Sequence, residues 1–155
     1  MRTLVLAAML AGLPAQAALA DDRDASEKAE SEIVFHTTEA AKKAGFPFSK
    51  AVEADGWIFL SGELGIKEGS GLVPGGIAPE TRQTMLNIRQ TLADQGLGMD
   101  RIVKCTAFLA DMAEWPAFNT VYKEFFKDNY PARSALGASG LALNARVEIE
   151  CIARR

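Results

Sequence analysis

Alternation with a period of two marks the end of the chain. From Val147 to Ala153 every second residue is small or apolar (Val147, Ile149, Cys151, Ala153), while Arg146, Glu148, Glu150 and Ile152 occupy the other parity. Successive side chains of an extended strand face opposite ways. One face of this segment therefore packs on a core, and the charged face looks into solvent, a cleft or a partner subunit. Arg101 to Ala110 is apolar on both parities, as expected of a central strand covered on both sides. Glu32 to His36 reads as a short strand. Residues 49–54 and 57–64 read as a hairpin turning at Asp55-Gly56, a strong two-residue turn between β-prone runs. A further strand begins at Arg133, just after Pro131 has broken the element before it, and is expected to form a terminal hairpin with residues 145–153.

Two segments carry helical spacing instead. Pro79 opens the first, with Thr81, Met85, Ile88 and Leu92 on one face and Gly96 at its end. The second starts where Asp111 and Glu114 resemble a capping box and Pro116 sits in the first turn. Phe118, Val121, Tyr122, Phe125 and Phe126 form its buried stripe, read as core rather than as a ligand platform, and Asn129-Tyr130-Pro131 ends it. Residues 65–76 read as a glycine-rich loop. The order ββ(β)αβαββ predicts an α+β fold, a mixed sheet with both helices packed on one face. Nothing in the chain covers the other face, so self-association with clefts between subunits is expected.

The first residues belong to a different kind of segment. Arg2 is followed by an apolar run from Leu4 to Leu13, and Ala18-Leu19-Ala20 precedes Asp21-Asp22. This is the layout of a cleaved signal peptide over residues 1–20, with cleavage after Ala20. Residues 21–31 read as a flexible lead-in and 32–155 as one domain. A periplasmic or secreted protein without a retained membrane anchor is the expectation.

Of the 155 residues, 17 are Lys or Arg and 20 are Asp or Glu, a formal net charge of -3. No basic stripe marks a predicted element, which argues against a nucleic-acid partner. Cys105 and Cys151 share parity with apolar neighbours, so two buried thiols are favoured over a bridge. With the single His36 they fall short of a structural metal site, and none is expected. His36 lies far from any G-x-S-x-G elbow, which disfavours a nucleophilic triad. Gly75-Gly76 lacks the Lys-Ser/Thr pair of a phosphate-binding loop.

Several short motifs occur together: Ser61-Gly62, Glu80-Thr81-Arg82-Gln83, Ile102-Val103-Lys104-Cys105-Thr106, Phe118-Asn119-x-x-Tyr122, Tyr130-Pro131-Ala132-Arg133-Ser134 and Val147-Glu148-Ile149-Glu150-x-Ile152-Ala153. In this order they resemble the RidA/YjgF family over nearly all of the chain beyond the leader. The resemblance implies a chorismate-mutase-like α+β fold, a homotrimer with sites at subunit interfaces, and hydrolysis of reactive 2-enamino and 2-imino acids to 2-oxo acids and ammonia. Carried over by position, Arg133 resembles the arginine that holds the substrate carboxylate, and Glu148 the acid that positions or activates water. Gly62 and Asn119 match motif positions near the site. Two positions depart from the pattern. Phe48 stands where the family often has a pocket tyrosine, and Ala135 where many members have a cysteine. The lost hydroxyl makes the pocket more apolar and bears on substrate preference more than on reaction class.

The chemistry is reasonable without the resemblance. A guanidinium matches a carboxylate bidentately and stays charged. A partly buried carboxylate with a raised pKa can take a proton from water and return it to the leaving amine. The iminium carbon is already electrophilic, so no cofactor is called for. The alternatives are a trimeric module that only captures small carboxylates or acts as a chaperone, and, less attractive, an endoribonuclease.

Overall fold

A computed structural model describes residues 32–155. The expected signal peptide (1–20) and lead-in (21–31) lie outside the described residues. In chain order the strands are β1 (Val34–His36), β2 (Ala51–Ala54), β3 (Trp57–Leu60), β4 (Glu63–Leu64), β5 (Ile66–Lys67), β6 (Gly71–Leu72), β7 (Ile102–Leu109), β8 (Ala132–Gly137) and β9 (Val147–Arg154). The helices are α1 (Glu39–Ala44), α2 (Ile77–Asp94) and α3 (Trp115–Lys123). Among the described residues no helix is long and apolar enough to cross a membrane.

The sheet runs β1-β2-β3-β9-β7-β8, and β4 joins β9 further along its length. Every neighbouring pair is antiparallel except β7 and β8. One parity of the central strands (Ile58, Leu60, Cys105, Ala107, Leu109, Val147, Ile149, Cys151, Ala153) is buried against Met85, Ile88 and Leu92 of α2 and Phe118 and Tyr122 of α3. This is the mixed sheet with two helices on one face that the periodicities predict. At the β2–β3 turn Asp55 (φ 50°) and Gly56 (φ 72°) both take left-handed backbone, which matches the twist of the strands. Among the described residues no helix covers the outer parity: Trp57, Phe59, Val103 and Leu136 are exposed, and Thr106 and Phe108 are half-buried.

Four expectations are corrected. The first is the terminal hairpin: β8 does not pair with β9. It lies parallel to β7, with Cys105 opposite Arg133, while β9 runs antiparallel on the other side of β7. The cause is α3, which makes β7-α3-β8 a crossover unit whose strands must be parallel. Residues 138–146, including a 3₁₀ turn at Ala142–Asn144, then carry the chain across to the free edge of β7.

The second concerns the cysteines. Cys105 and Cys151 are joined in a disulfide, with Cα atoms 4.1 Å apart. Parity reasoning treats each as a separate small hydrophobe. The β7–β9 register sets them directly opposite on the same buried face, so two sulfurs share one core position. Third, residues 65–76 contain the β5–β6 ribbon rather than an unstructured loop. Fourth, α3 stops at Lys123, well before Pro131, and α1 is an additional helix. Helix α1 buries no residue and therefore shows no apolar stripe. Its signals are local, the Thr38 hydroxyl accepting from the Ala41 N–H and Gly45 (φ 70°) ending it in left-handed conformation.

The bridged residues are 46 apart in sequence. Constraining a loop of that length in the unfolded chain is worth up to about 4 kcal/mol in the chain-entropy model. The double variant Cys105→Ala/Cys151→Ala is expected to lose about 2–4 kcal/mol of unfolding free energy in urea titrations. The wild type in reductant is expected to follow the variant.

Candidate active site

Arg133 stands on edge strand β8 with its side chain on the helix face, in register with the buried Cys105. Helix α3 packs above it and presents residues at helical spacing. The guanidinium carbon lies 5.1 Å from the Trp115 ring, 5.1 Å from Phe118 and 4.5 Å from Tyr122. The Arg133 Nη2 donates to Asn119 Oδ1 at 2.7 Å. Among the described residues no carboxylate comes within ion-pair distance of it. A neutral amide and three ring faces orient the cation without neutralising it, which makes it a candidate to receive an anion. It lines a cavity of about 220 Å³ with Asn119, Tyr122, Lys123, Tyr130 and Pro131. Burial pushes the Tyr122 hydroxyl up to about 12, against the lowering effect of Arg133, so the phenol stays neutral. Ala135, two residues further on the same face, packs against the core in register with Ala107.

Glu148 belongs to a second locus. It sits on β9 in register with Phe108 and Leu64, on the outer face of the sheet. Its carboxyl is held above the usual carboxylate range, first by burial and second by the like charge of Glu150. Gly62 is the reason it fits there. A Cβ at position 62 would run into Glu148 Oε1, so only glycine lets the chain pass so close to the carboxylate. The neighbouring Ser61 is tied to the segment that carries Phe48, its Oγ donating to the Ser49 carbonyl at 2.6 Å and its N–H to the Lys50 carbonyl at 3.1 Å.

The structure thus brings Arg133 and Asn119 together, with Ala135 beside them. It separately brings Glu148 and Gly62 together, with the Phe48 segment adjoining. The two groups are on opposite faces of the sheet, with β7 between their strands, and among the described residues the cavity that Arg133 lines does not include Glu148. The sequence signs of Arg133 and Glu148 were their motifs. The rings of Phe118 and Tyr122 carry no sign of a site in the sequence because their stripe reads as core, and Trp115 lies outside that stripe. Phe118 and Tyr122 are indeed buried, and the same rings frame the guanidinium. Only the register of β8 under α3 reveals the second role.

An α+β protein with a guanidinium in an aromatic frame on one sheet face and a half-buried carboxylate abutting a glycine on the other has two candidate groups for handling a small acid. The chain belongs to the Endoribonuclease L-PSP family, whose model matches residues 38–155, and this is the RidA/YjgF family of the motifs above. It is 42% identical over 118 residues to a 2-iminobutanoate/2-iminopropanoate deaminase of Capra hircus, covering 76% of this chain and 86% of that one. Among solved structures it resembles the Rid family protein YyfA of Yersinia pestis, with a TM-score of 0.74 and 34% identity over 80% of this chain and all of that one. It also resembles E. coli TdcF with bound serine, with a TM-score of 0.67 and 29% identity over 70% of this chain and 89% of that one.

Loss of a charged hydrogen-bonding partner usually removes about 1.5–3 kcal/mol, so Arg133→Ala is expected to weaken pyruvate binding about 10- to 100-fold in calorimetry. Asn119→Ala, which frees the guanidinium without removing it, is expected to have a smaller effect in the same titration.

Proposed function

We propose that this protein hydrolyses 2-imino acids and their enamine tautomers to 2-oxo acids, with Arg133 holding the substrate carboxylate and Glu148 handling water. The observation that carries this reading is the unneutralised guanidinium, fixed by Asn119 and three rings, in a chain whose relatives are named as imine deaminases. Bidentate pairing of the carboxylate with Arg133 orients the C2–N bond. Glu148 accepts a proton from water as its oxygen adds to the iminium carbon. In the resulting carbinolamine Glu148 returns its proton to the nitrogen, the C–N bond breaks to release ammonia, and the hydroxyl proton passes to that ammonia as C2 becomes a carbonyl. One water is consumed, one ammonium is released and no electrons are transferred. A carboxyl above its ordinary range suits both proton transfers. That the similar protein TdcF binds serine supports a small amino-acid-like ligand for this chain.

The two halves of the site come from different copies of the chain, since one sheet separates them. A contact joining the arginine face of one copy to the glutamate face of the next is head-to-tail, and where its rotation closes such a contact makes a ring, of which a trimer is the smallest. The exposed Trp57, Phe59, Val103 and Leu136 on the outer face supply apolar surface for that contact. The assembly proposed is a homotrimer. The leader-like residues 1–20 favour an exported protein, and the Cys105–Cys151 disulfide suits an oxidising compartment.

Arg133→Ala and Glu148→Gln are each expected to abolish ammonia release from an imine generated by an amino-acid oxidase. Unfolded and reassembled together at equal concentration, the two inactive variants should recover about a quarter of wild-type activity, because random mixing pairs the intact half of one copy with that of the next at that frequency. A mixture that stays inactive would place the whole reaction within one chain or outside these residues. A ribonuclease activity unaffected by Arg133→Ala would support the family's other description.

Because Glu148 must be ionised to accept a proton, kcat/KM is expected to fall as pH drops through its raised value. Glu150→Gln removes the like charge and should move that acid limb to lower pH. Mass spectrometry of the exported protein is expected to find Asp21 at its N-terminus.

A further inference from the structure

Phe46 and Phe48 form an exposed aromatic stack that neither the core nor the mechanism above uses. Their rings are 5.4 Å apart and within 9° of parallel, yet the residues are 56% and 52% exposed. The stack is held at both ends. At the first, the Phe46 N–H donates to the Ala41 carbonyl and the Gly45 N–H to the Lys42 carbonyl, closing α1 onto Gly45. Pro47 stiffens the link between the rings. At the other end, Ser49 is pinned by two hydrogen bonds, from the Ser61 hydroxyl to its carbonyl and from the Thr37 hydroxyl to its own. Ser61 leads directly into Gly62, the residue against which the Glu148 carboxylate rests. A rigid, solvent-exposed π surface is thereby anchored to the backbone that carries the water-handling half of the site.

From this we infer that the side chain of the substrate is aromatic and lies on the Phe46–Phe48 stack. The inference rests on the deaminase reading and narrows its substrate class. With its carboxylate on one copy and C2 at Glu148 of the next, a 2-imino acid sits beside Gly62, and the segment bonded to the adjoining Ser61 is the surface placed here under its C3 substituent. With Phe48 in that segment there is no hydroxyl from this position to pair with a polar substituent. An aromatic ring there gains both burial and stacking. Phe46 extends the surface beyond a single ring, more area than a methyl or ethyl group can cover.

The test compares kcat/KM for two imines made in situ by an amino-acid oxidase, 2-imino-3-phenylpropanoate from phenylalanine and 2-iminopropanoate from alanine. Wild type is expected to favour the phenyl substrate about tenfold or more, as stacking on an aromatic pair allows. Phe46→Ala and Phe48→Ala should each lower that ratio severalfold, mainly through KM. Phe46→Tyr, which keeps the ring, should preserve it. Binding of phenylpyruvate against pyruvate by calorimetry should move in parallel and does not depend on turnover. A wild-type ratio of one or below overturns the inference. So does a ratio that both alanine variants leave unchanged, or a stack whose removal alters only the oligomeric state. If neither imine is turned over, the deaminase reading fails, and the two product affinities still decide whether the stack selects aromatic acids.

Discussion

Strand β7 is the constraint on which the rest depends. It lies between β8 and β9, parallel to one and antiparallel to the other, and its registers assign every chemically relevant side chain to a face. Cys105 faces Arg133 on one side and Cys151 on the other, so a single level of the sheet holds the disulfide in the core and the guanidinium at the edge. Phe108 faces Glu148 three residues later, on the opposite surface. The odd separation of Cys105 and Phe108 along β7 sends the arginine and the glutamate to different faces. A slip of one residue would exchange core and solvent positions throughout the strand. The apolar parity packed beneath α2 and α3 opposes that slip.

Each half of the site is electrostatically incomplete in a way that the other half, with a substrate between them, would complete. Arg133 has no ionic partner among the described residues, since its hydrogen-bonding partner is a neutral amide and its other neighbours are rings. Glu148 is pushed toward its protonated form by burial and by Glu150. Several other charges are paired. Arg146 is bonded to Glu114, Arg155 to Glu53, and Lys50 to the buried Glu63, which also accepts from Thr91. Arg133, like Arg89, Arg101 and Arg154, has no carboxylate partner among the described residues, and what sets it apart is its frame of one neutral amide and three rings beside a cavity. The arrangement leaves binding energy available for an anion rather than using it within the fold.

Much of the architecture was legible in the chain. The Asp55-Gly56 turn, the stripe of Met85, Ile88 and Leu92, and the alternation from Val147 to Ala153 each obey a local rule, since burial of one face imposes a period on the residues that provide it. Helix α1 escaped because it buries nothing, and the aromatic frame of Arg133 escaped because its rings serve the core as well. The errors at β8 and at the cysteines share one cause. Both required knowing which strands are neighbours, and consecutive strands are adjacent often enough that the hairpin was the natural reading.

By itself the sequence determined the parities, the helical faces and the residue types able to grip a carboxylate or move a proton, because these follow from local geometry and from side-chain chemistry. Only the tertiary structure decided that β7 intervenes between Arg133 and Glu148, that the two cysteines meet, and that Gly62 rests against a carboxylate. Those are contacts between segments far apart in the chain, and they are set by the packing of α3 and the strand registers rather than by any single stretch of residues.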